Sequence, residues 1–135
     1  MRARNGTRLQ ERTGGRRIAF NQSRNLHFNA FGYPAEPPFS GTRLYRCASN
    51  GQGKDSGPPP EPTRIDCDMT GGSSGGGWVI SGGRVNSVVS YGYECAILDL
   101  LCQALGGNPE EGKLFGPYFG NVIRDLYRSE RRRRR

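Results

Sequence analysis

Ten consecutive residues of this 135-residue chain, Asp68-Met69-Thr70-Gly71-Gly72-Ser73-Ser74-Gly75-Gly76-Gly77, contain five glycines and three hydroxyl side chains. Such a run makes neither a helix nor an ordinary strand, because glycine serves where the backbone takes φ > 0 or where another group must come close to it. A serine held between such glycines sits on bare backbone, with its hydroxyl open and its neighbouring N–H groups free to donate. A nucleophile beside an oxyanion hole needs that geometry, since donors must point to where negative charge develops during acyl transfer. Composition alone also fits a flexible Gly/Ser linker. Against a linker, the run is anchored by Cys67 on one side and by Trp78-Val79-Ile80 on the other. Further on, Val88-Val89-Ser90-Tyr91-Gly92-Tyr93 supplies a second piece of the same kind of site.

These residues resemble the trypsin-like (chymotrypsin-fold) serine peptidases, particularly secreted bacterial members. Gly72 to Gly77 is similar to their Gly-Asp-Ser-Gly-Gly-Pro nucleophile loop, and Ser90-Tyr91-Gly92 to the Ser-Trp-Gly strand that binds the substrate backbone and walls the primary specificity pocket. Gly116-Pro117-Tyr118-Phe119-Gly120, ahead of a short terminal helix, resembles the close of such chains. The resemblance runs from about Gly15 to Arg128 and covers only the C-terminal half of the family's usual length. It implies a serine endopeptidase working through an acyl-enzyme, with Ser74 as nucleophile and the Gly72 and Ser74 N–H groups as oxyanion hole. It further implies Ser90, Tyr91 and Gly92 as contacts for a polypeptide substrate, no cofactor, and an extracellular setting. Asp68 lies six residues before Ser74, the offset at which trypsins place the carboxylate that selects Lys or Arg. The other reading of Asp68 is a loop carboxylate that caps backbone N–H groups. Two positions depart from the motif. Ser73 stands where most members carry Asp, which implies an oxyanion hole ordered without an ion pair to a new N-terminus. Gly77 replaces the usual Pro.

A serine hydroxyl is a poor nucleophile without a general base. The family carries its His and Asp in the N-terminal barrel, and no such segment is present. His27 is the sole histidine. Sitting among Leu26, Phe28 and Phe31, it reads as a packed or edge-strand residue rather than as the base. The expectation is therefore half an enzyme, inactive alone, whose partner is an N-terminal barrel that supplies His and Asp. The alternative is a non-catalytic pseudo-peptidase or binding module with arginine tails that attach to polyanions.

The elements that must position these residues are mostly strands. Hydrophobic content of 33% with 21 Gly and 9 Pro fits a loop-rich β domain better than a helical bundle. Leu26–Phe31 alternates apolar and polar residues as a half-buried strand does, Leu44–Ala48 reads as a second strand, and Asn50–Pro62 as an exposed excursion. Trp78–Ser81 and Arg84–Tyr91 predict a hairpin around Gly82-Gly83, with Val85, Ser87, Val89 and Tyr91 on one face. Glu94–Leu105 suggests a short helical turn, and Leu114–Phe119 a last strand. Asn121 is an N-cap for a closing helix with Val122, Ile123, Leu126 and Tyr127 on one face. The predicted fold is all-β: the C-terminal antiparallel β-barrel of the chymotrypsin-like fold, with one short C-terminal helix. It spans residues 15–130, between a basic disordered arm (1–14) and a poly-Arg tail (131–135).

Four cysteines allow three pairings. Cys47 and Cys67 bracket the excursion just ahead of the glycine loop, so a bridge there would hold the base of that loop. Cys95 and Cys102 would then pair locally. A zinc site is the rival reading, but there is no C-x-x-C and the single histidine is strand-borne. Cysteines in a small polar chain suit an oxidising compartment, although no signal peptide precedes them and no apolar run is long enough to span a membrane. The net charge of +8 is carried by the ends. Residues 1–24 contribute +6 and 131–135 contribute +5, whereas 25–130 carry −3. Such ends could bind phosphate backbones weakly, but no aromatics interleave their arginines as in a single-strand platform.

Overall fold

Strand β1 (His27–Gly32) shows why this sequence builds a sheet: Phe28, Ala30 and Gly32 are buried, and the residues between them are partly exposed. Period-two burial of this kind is a strand with one face on a core. The computed structural model describes residues 9–93, 104, 106 and 111–133. Within them follow β2 (Tyr45–Lys54), β3 (Thr63–Asp66), β4 (Gly77–Ile80), β5 (Arg84–Val88), β6 (Tyr91–Gly92) and β7 (Lys113–Gly116). A 3₁₀ turn, Ser81–Gly83, joins β4 to β5, and the chain's described part ends in a helix over Asn121–Arg133.

All the strand pairs are antiparallel, and they form one sheet in the order β5-β4-β1-β2-β3-β7-β6. The two edge strands, β5 and β6, are separated in sequence only by Val89 and Ser90. Seven strands laid flat would put those edges about 29 Å apart, at roughly 4.8 Å per spacing. Three residue steps from Val88 to Tyr91 reach at most about 11 Å. The sheet therefore rolls up until its edges meet. Val89 N donates to Gly76 O (2.8 Å) on the β4 side, and Ser90 N donates to Phe115 O (2.9 Å) on β7, which stitches the seam.

Inside the roll lie Phe28, Ala30, Ile65, Trp78, Ile80, Val89 and Leu114. Trp78 is fully buried and pairs across the sheet with Ala30, whose small side chain leaves room for the indole. Phe28 meets the indole edge-on, with centroids 5.6 Å apart. A β-carbon at Gly116 would lie 3.1 Å from Trp78 Cζ2, so the glycine also clears space for it.

The all-β body with a helix starting at Asn121 is as expected, but several bounds are corrected. The second strand does not stop at Ala48. It runs to Lys54, because the register with β3 holds from Gly51↔Ile65 to Lys54↔Thr63, and only 55–62 remain as the exposed loop. The expected last strand ends at Gly116. On β5, Asn86 and Ser87 are both buried, so the simple alternation fails. A register shift at Trp78/Val79 turns Asn86 inward, where its amide donates to Ala19 O (2.9 Å). Leu9–Thr13 forms one helical turn inside the stretch assigned to the disordered arm, and Arg131–Arg133 belong to the terminal helix rather than to a separate tail. That helix buries no residue: Val122 is 71% and Leu126 59% exposed. It is held by Tyr127 against Phe20 (5.8 Å) and by Asn21 Nδ2 donating to Asn121 Oδ1 (2.8 Å). The turn expected over Glu94–Leu105 falls almost wholly outside the described residues, and the Cys95–Cys102 pairing wholly so. Among the described residues no helix is long and apolar enough to cross a membrane.

Cys47 and Cys67 form a disulfide with Cα atoms 5.4 Å apart, as their bracketing suggested. Loop-closure entropy for a loop of this size is worth about 3 kcal/mol. Replacing both cysteines with Ser should lower the urea unfolding free energy by roughly that amount. A loss of well under about 1 kcal/mol would mean that the unfolded chain is not restrained by the bridge.

Candidate active site

The glycine loop is built on the segment that follows β1. Ala35 N donates to Gly71 O (2.7 Å), Glu36 N donates to Thr70 Oγ1 (3.3 Å), and Thr70 Oγ1 donates to Glu36 O (2.8 Å). These three bonds clamp residues 70–71 against 35–36. At Gly72, φ is +96°, and a β-carbon would lie 2.8 Å from Ala35 Cβ and 2.9 Å from Tyr33 O. Only glycine fits both the backbone angle and the space. Gly76 has to be glycine for a different reason, since a β-carbon there would collide with the carbonyl oxygen of Phe31.

The two adjacent serines have opposite environments. Ser73 is 3% exposed, and its hydroxyl donates to Thr70 O (2.7 Å) while its carbonyl accepts from Gly76 N (3.0 Å). It is consumed in shaping the turn. Ser74 is exposed, and among the described residues its hydroxyl forms no hydrogen bond. Gly75 N is taken by Val89 O (2.8 Å), and Ser73 N faces Thr70 O (3.4 Å). By contrast, the N–H groups of Gly72 and Ser74 donate to no backbone group among the described residues. The loop thus presents one open hydroxyl beside two undonated amides. Polar N–H groups left open on an ordered loop are ready to receive an anion.

The seam brings the second segment to the same place. The reciprocal bonds Gly75 N–Val89 O and Val89 N–Gly76 O lay 88–90 along the loop, so exposed Ser90 follows directly on a residue bonded to Ser74's neighbour. Tyr91 and Gly92 then pair with Phe115 and Leu114. The Tyr91 ring stacks on Phe115 (5.0 Å, 8° between planes) and meets Tyr93 edge-on. Asp55, at the base of the loop that joins β2 to β3, receives the hydroxyls of both Tyr91 and Tyr93 on the same oxygen. Nothing in the turn Lys54-Asp55-Ser56-Gly57 signals this role, because the partners lie 36 and 38 residues away.

Asp68 is exposed, with Oδ1 3.9 Å from Cys47 Sγ. Cys47, Cys67 and Asp68 lie within metal-ligand reach of one another. Both sulfurs are spent in the disulfide, so the group offers no thiolate to a metal. Nearby, Lys113 of β7 pairs with Asp66 of β3. His27 is not brought to the serine. Gly32, at the end of β1, is the residue that faces Ser73, and His27 begins the strand five residues away, about 17 Å along it. Its Nδ1 lies 3.0 Å from Asn50 Oδ1 on β2.

Comparison with solved structures gives this geometry a context. The chain superposes on a thermostable serine protease, AL20, from an extremophilic microorganism with TM-score 0.73 and 37% identity, over 92% of this chain and 52% of that one. It superposes on the protease Anisep from Arthrobacter nicotinovorans with TM-score 0.74 and 38% identity, over 93% and 52% respectively. The chain carries half of the trypsin-like serine peptidase fold. It spans about half the length of the structures it matches. No protein-family model matches the chain, and no curated protein does either.

The Asp55 pair sets a pH dependence. Burial first, then the hydrogen bond and charge of Asp55, raise the Tyr91 hydroxyl above its ordinary value. A raised folded value means that this contribution to stability is complete below about pH 10 and is lost as pH climbs through the folded value. The Tyr91 hydroxyl, then that of Tyr93, hold the Asp55 carboxyl below its ordinary value. That contribution is present above about pH 3.9 and is lost as pH falls through the lower folded value. Asp55→Asn should move the Tyr91 ionisation down toward about pH 10, read by phenolate absorbance against pH. An unmoved midpoint would show that Asp55 does not restrain this ring.

Proposed function

We propose that this chain is the nucleophile-bearing half of a serine endopeptidase, with Ser74 as the attacking residue. The observation that carries the reading is the exposed Ser74 hydroxyl beside the undonated Gly72 and Ser74 amides, on a loop clamped from both sides. In this reading Ser74 Oγ attacks the scissile carbonyl, its proton passes to a histidine, and the Gly72 and Ser74 N–H groups hold the oxyanion. The intermediate then collapses as the scissile C–N bond breaks and the histidine gives its proton to the leaving amine. Water, deprotonated by the same histidine, then hydrolyses the acyl ester and frees Ser74. Ser90, Tyr91 and Gly92 bind the substrate backbone as an added strand, the usual way an extended peptide docks on exposed strand groups. Asp68, exposed beside the disulfide, is the carboxylate that would select a basic side chain. The disulfide suits an oxidising, extracellular compartment.

His27 is too far along β1 to serve as the base, so this reading requires a separate N-terminal barrel to supply the histidine and its orienting carboxylate. That remoteness also favours the second reading, a non-catalytic binding module. An assay separates them. The purified chain alone should give no turnover of an arginine ester. Adding a separately expressed barrel that carries His and Asp should restore turnover, and Ser74→Ala should abolish it by more than about 10³-fold while His27→Ala leaves it unchanged. Failure of the barrel to restore turnover, with Ser74 also inert to a fluorophosphonate, would favour the binding module. Turnover by the chain alone that is lost in His27→Ala would overturn the assignment of the base.

A further inference from the structure

At the end of β4 remote from the serine loop, the chain turns through Ser81–Gly83 into β5. Residues 16–19 run alongside this turn. Val85 N donates to Arg17 O (2.9 Å), Ala19 N donates to Val85 O (2.8 Å), and Ile18 bridges Val85. This backbone pairing fixes Arg16 and Arg17, from one part of the sequence, beside Arg84 from another. Together with the turn they line an open depression of about 670 Å³.

The charges in it are uncompensated. Arg16 spends one N–H on Gly83 O (3.2 Å), which leaves the rest of its fork available. Arg17 and Arg84 make no side-chain hydrogen bond or ion pair among the described residues, and no carboxylate there approaches any of the three. The Arg84 Nε and Arg16 Nη1 atoms lie 3.7 Å and 2.8 Å from where β-carbons would stand on Gly82 and Gly83, so both guanidinium groups lie against a turn that carries no side chain to shield them. Ser81 also lines the depression, and its hydroxyl makes no hydrogen bond among the described residues. Arg16 and Arg84 lay guanidinium atoms against the turn, and Arg17 lines the same depression. Like charges gathered around one depression are relieved by an anion, and the planar fork matches tetrahedral oxyanions in a bidentate manner. The setting sharpens the contrast, because residues 25–130 carry net −3.

We propose that the depression between Arg16, Arg17 and Arg84 on the Ser81–Gly83 turn binds a tetrahedral oxyanion, phosphate or sulfate, either free or as the end of a monoester. The site is distinct from the serine loop and does not depend on the peptidase reading. It also differs from the C-terminal run of arginines, since the pairing of residues 17–19 with Val85 fixes Arg16 and Arg17 on the ordered body.

The test uses the full chain with inorganic phosphate, glycerol 2-phosphate and, at matched ionic strength, sodium chloride. Phosphate at roughly ten times its Kd should raise Tm by about 5 °C, and sodium chloride should not. The amide resonances of Gly82 and Gly83 should move with phosphate. Arg17→Gln and Arg84→Gln, neither of which holds the Gly83 carbonyl, should each weaken binding by roughly tenfold or more. The triple change Arg131→Gln, Arg132→Gln, Arg133→Gln should leave binding intact. A response to glycerol 2-phosphate equal to that of phosphate assigns the site to an ester group, and a response to phosphate alone assigns it to the free ion. The proposal is overturned if sodium chloride reproduces the shift, if the Gly82 and Gly83 resonances stay fixed, or if only the helix triple change abolishes binding.

Discussion

The constraint on which the rest depends is a joint of two residues. Val89 and Ser90 connect strands that stand at opposite edges of a seven-stranded sheet, so the sheet must close for the chain to be continuous. Closing it fills the interior with Trp78, Phe28, Ile65 and Leu114. It also lays the joint along the glycine loop, where Val89 bonds both Gly75 and Gly76. The same two residues thus complete the barrel and set one wall of the candidate site. An apolar core and a polar site are here consequences of a single geometric requirement.

The polar accounting within the site is selective. The Thr70 and Ser73 hydroxyls and the Gly75 and Gly76 amides are paired internally or to neighbouring segments. Among the described residues the Gly72 and Ser74 N–H groups donate to no protein group, as is also true of those of Thr70 and Gly71. Gly72 and Ser74 are exposed, so water can satisfy their amides until a ligand oxygen replaces it. Asp55 plays a supporting part on the other side, tying the rings of Tyr91 and Tyr93 to the base of the β2–β3 loop. Its charge lies one residue beyond the end of β2, so the long hairpin acts as an arm that reaches to the strand beside the site.

Much of this was legible in the residues, and the limits have physical causes. The Gly/Ser run, the Ser90-Tyr91-Gly92 segment, the Cys47–Cys67 bridge and the helix at Asn121 all carry local signals: glycine density, bracketing cysteines, a capping residue. Which of two adjacent serines is open was supplied by resemblance alone. Local sequence does not distinguish Ser73 from Ser74, and only the Thr70 carbonyl does so. The length of β2 was missed because Asn50-Gly51-Gln52-Gly53-Lys54 has turn composition. Cross-strand pairing with β3 overrides that propensity. Asn86 was missed because a register shift breaks the alternation on which face assignment rests. The placing of Arg16, Arg17 and Arg84 around one turn was invisible for a similar reason, since it is made by the backbone pairing of Ile18 with Val85, 67 residues away.

The strand order also carries a kinetic consequence. Thr63 pairs with Gly116 and Ile65 with Leu114, so the β3–β7 ladder joins segments about fifty residues apart in the chain. Contacts of that span are formed only after a large loss of chain entropy, and domains dominated by them fold on the millisecond-to-second scale. The hairpins β1–β2 and β4–β5 are local and can assemble early, but neither can hold Ser90 in place. That residue is fixed by Phe115 O on β7. The Gly75–Val89 and Val89–Gly76 bonds extend the local β4–β5 hairpin, so the serine loop meets residues 88–90 through short-range pairing. The β3–β7 ladder that closes the roll around them is the long-range, slow step.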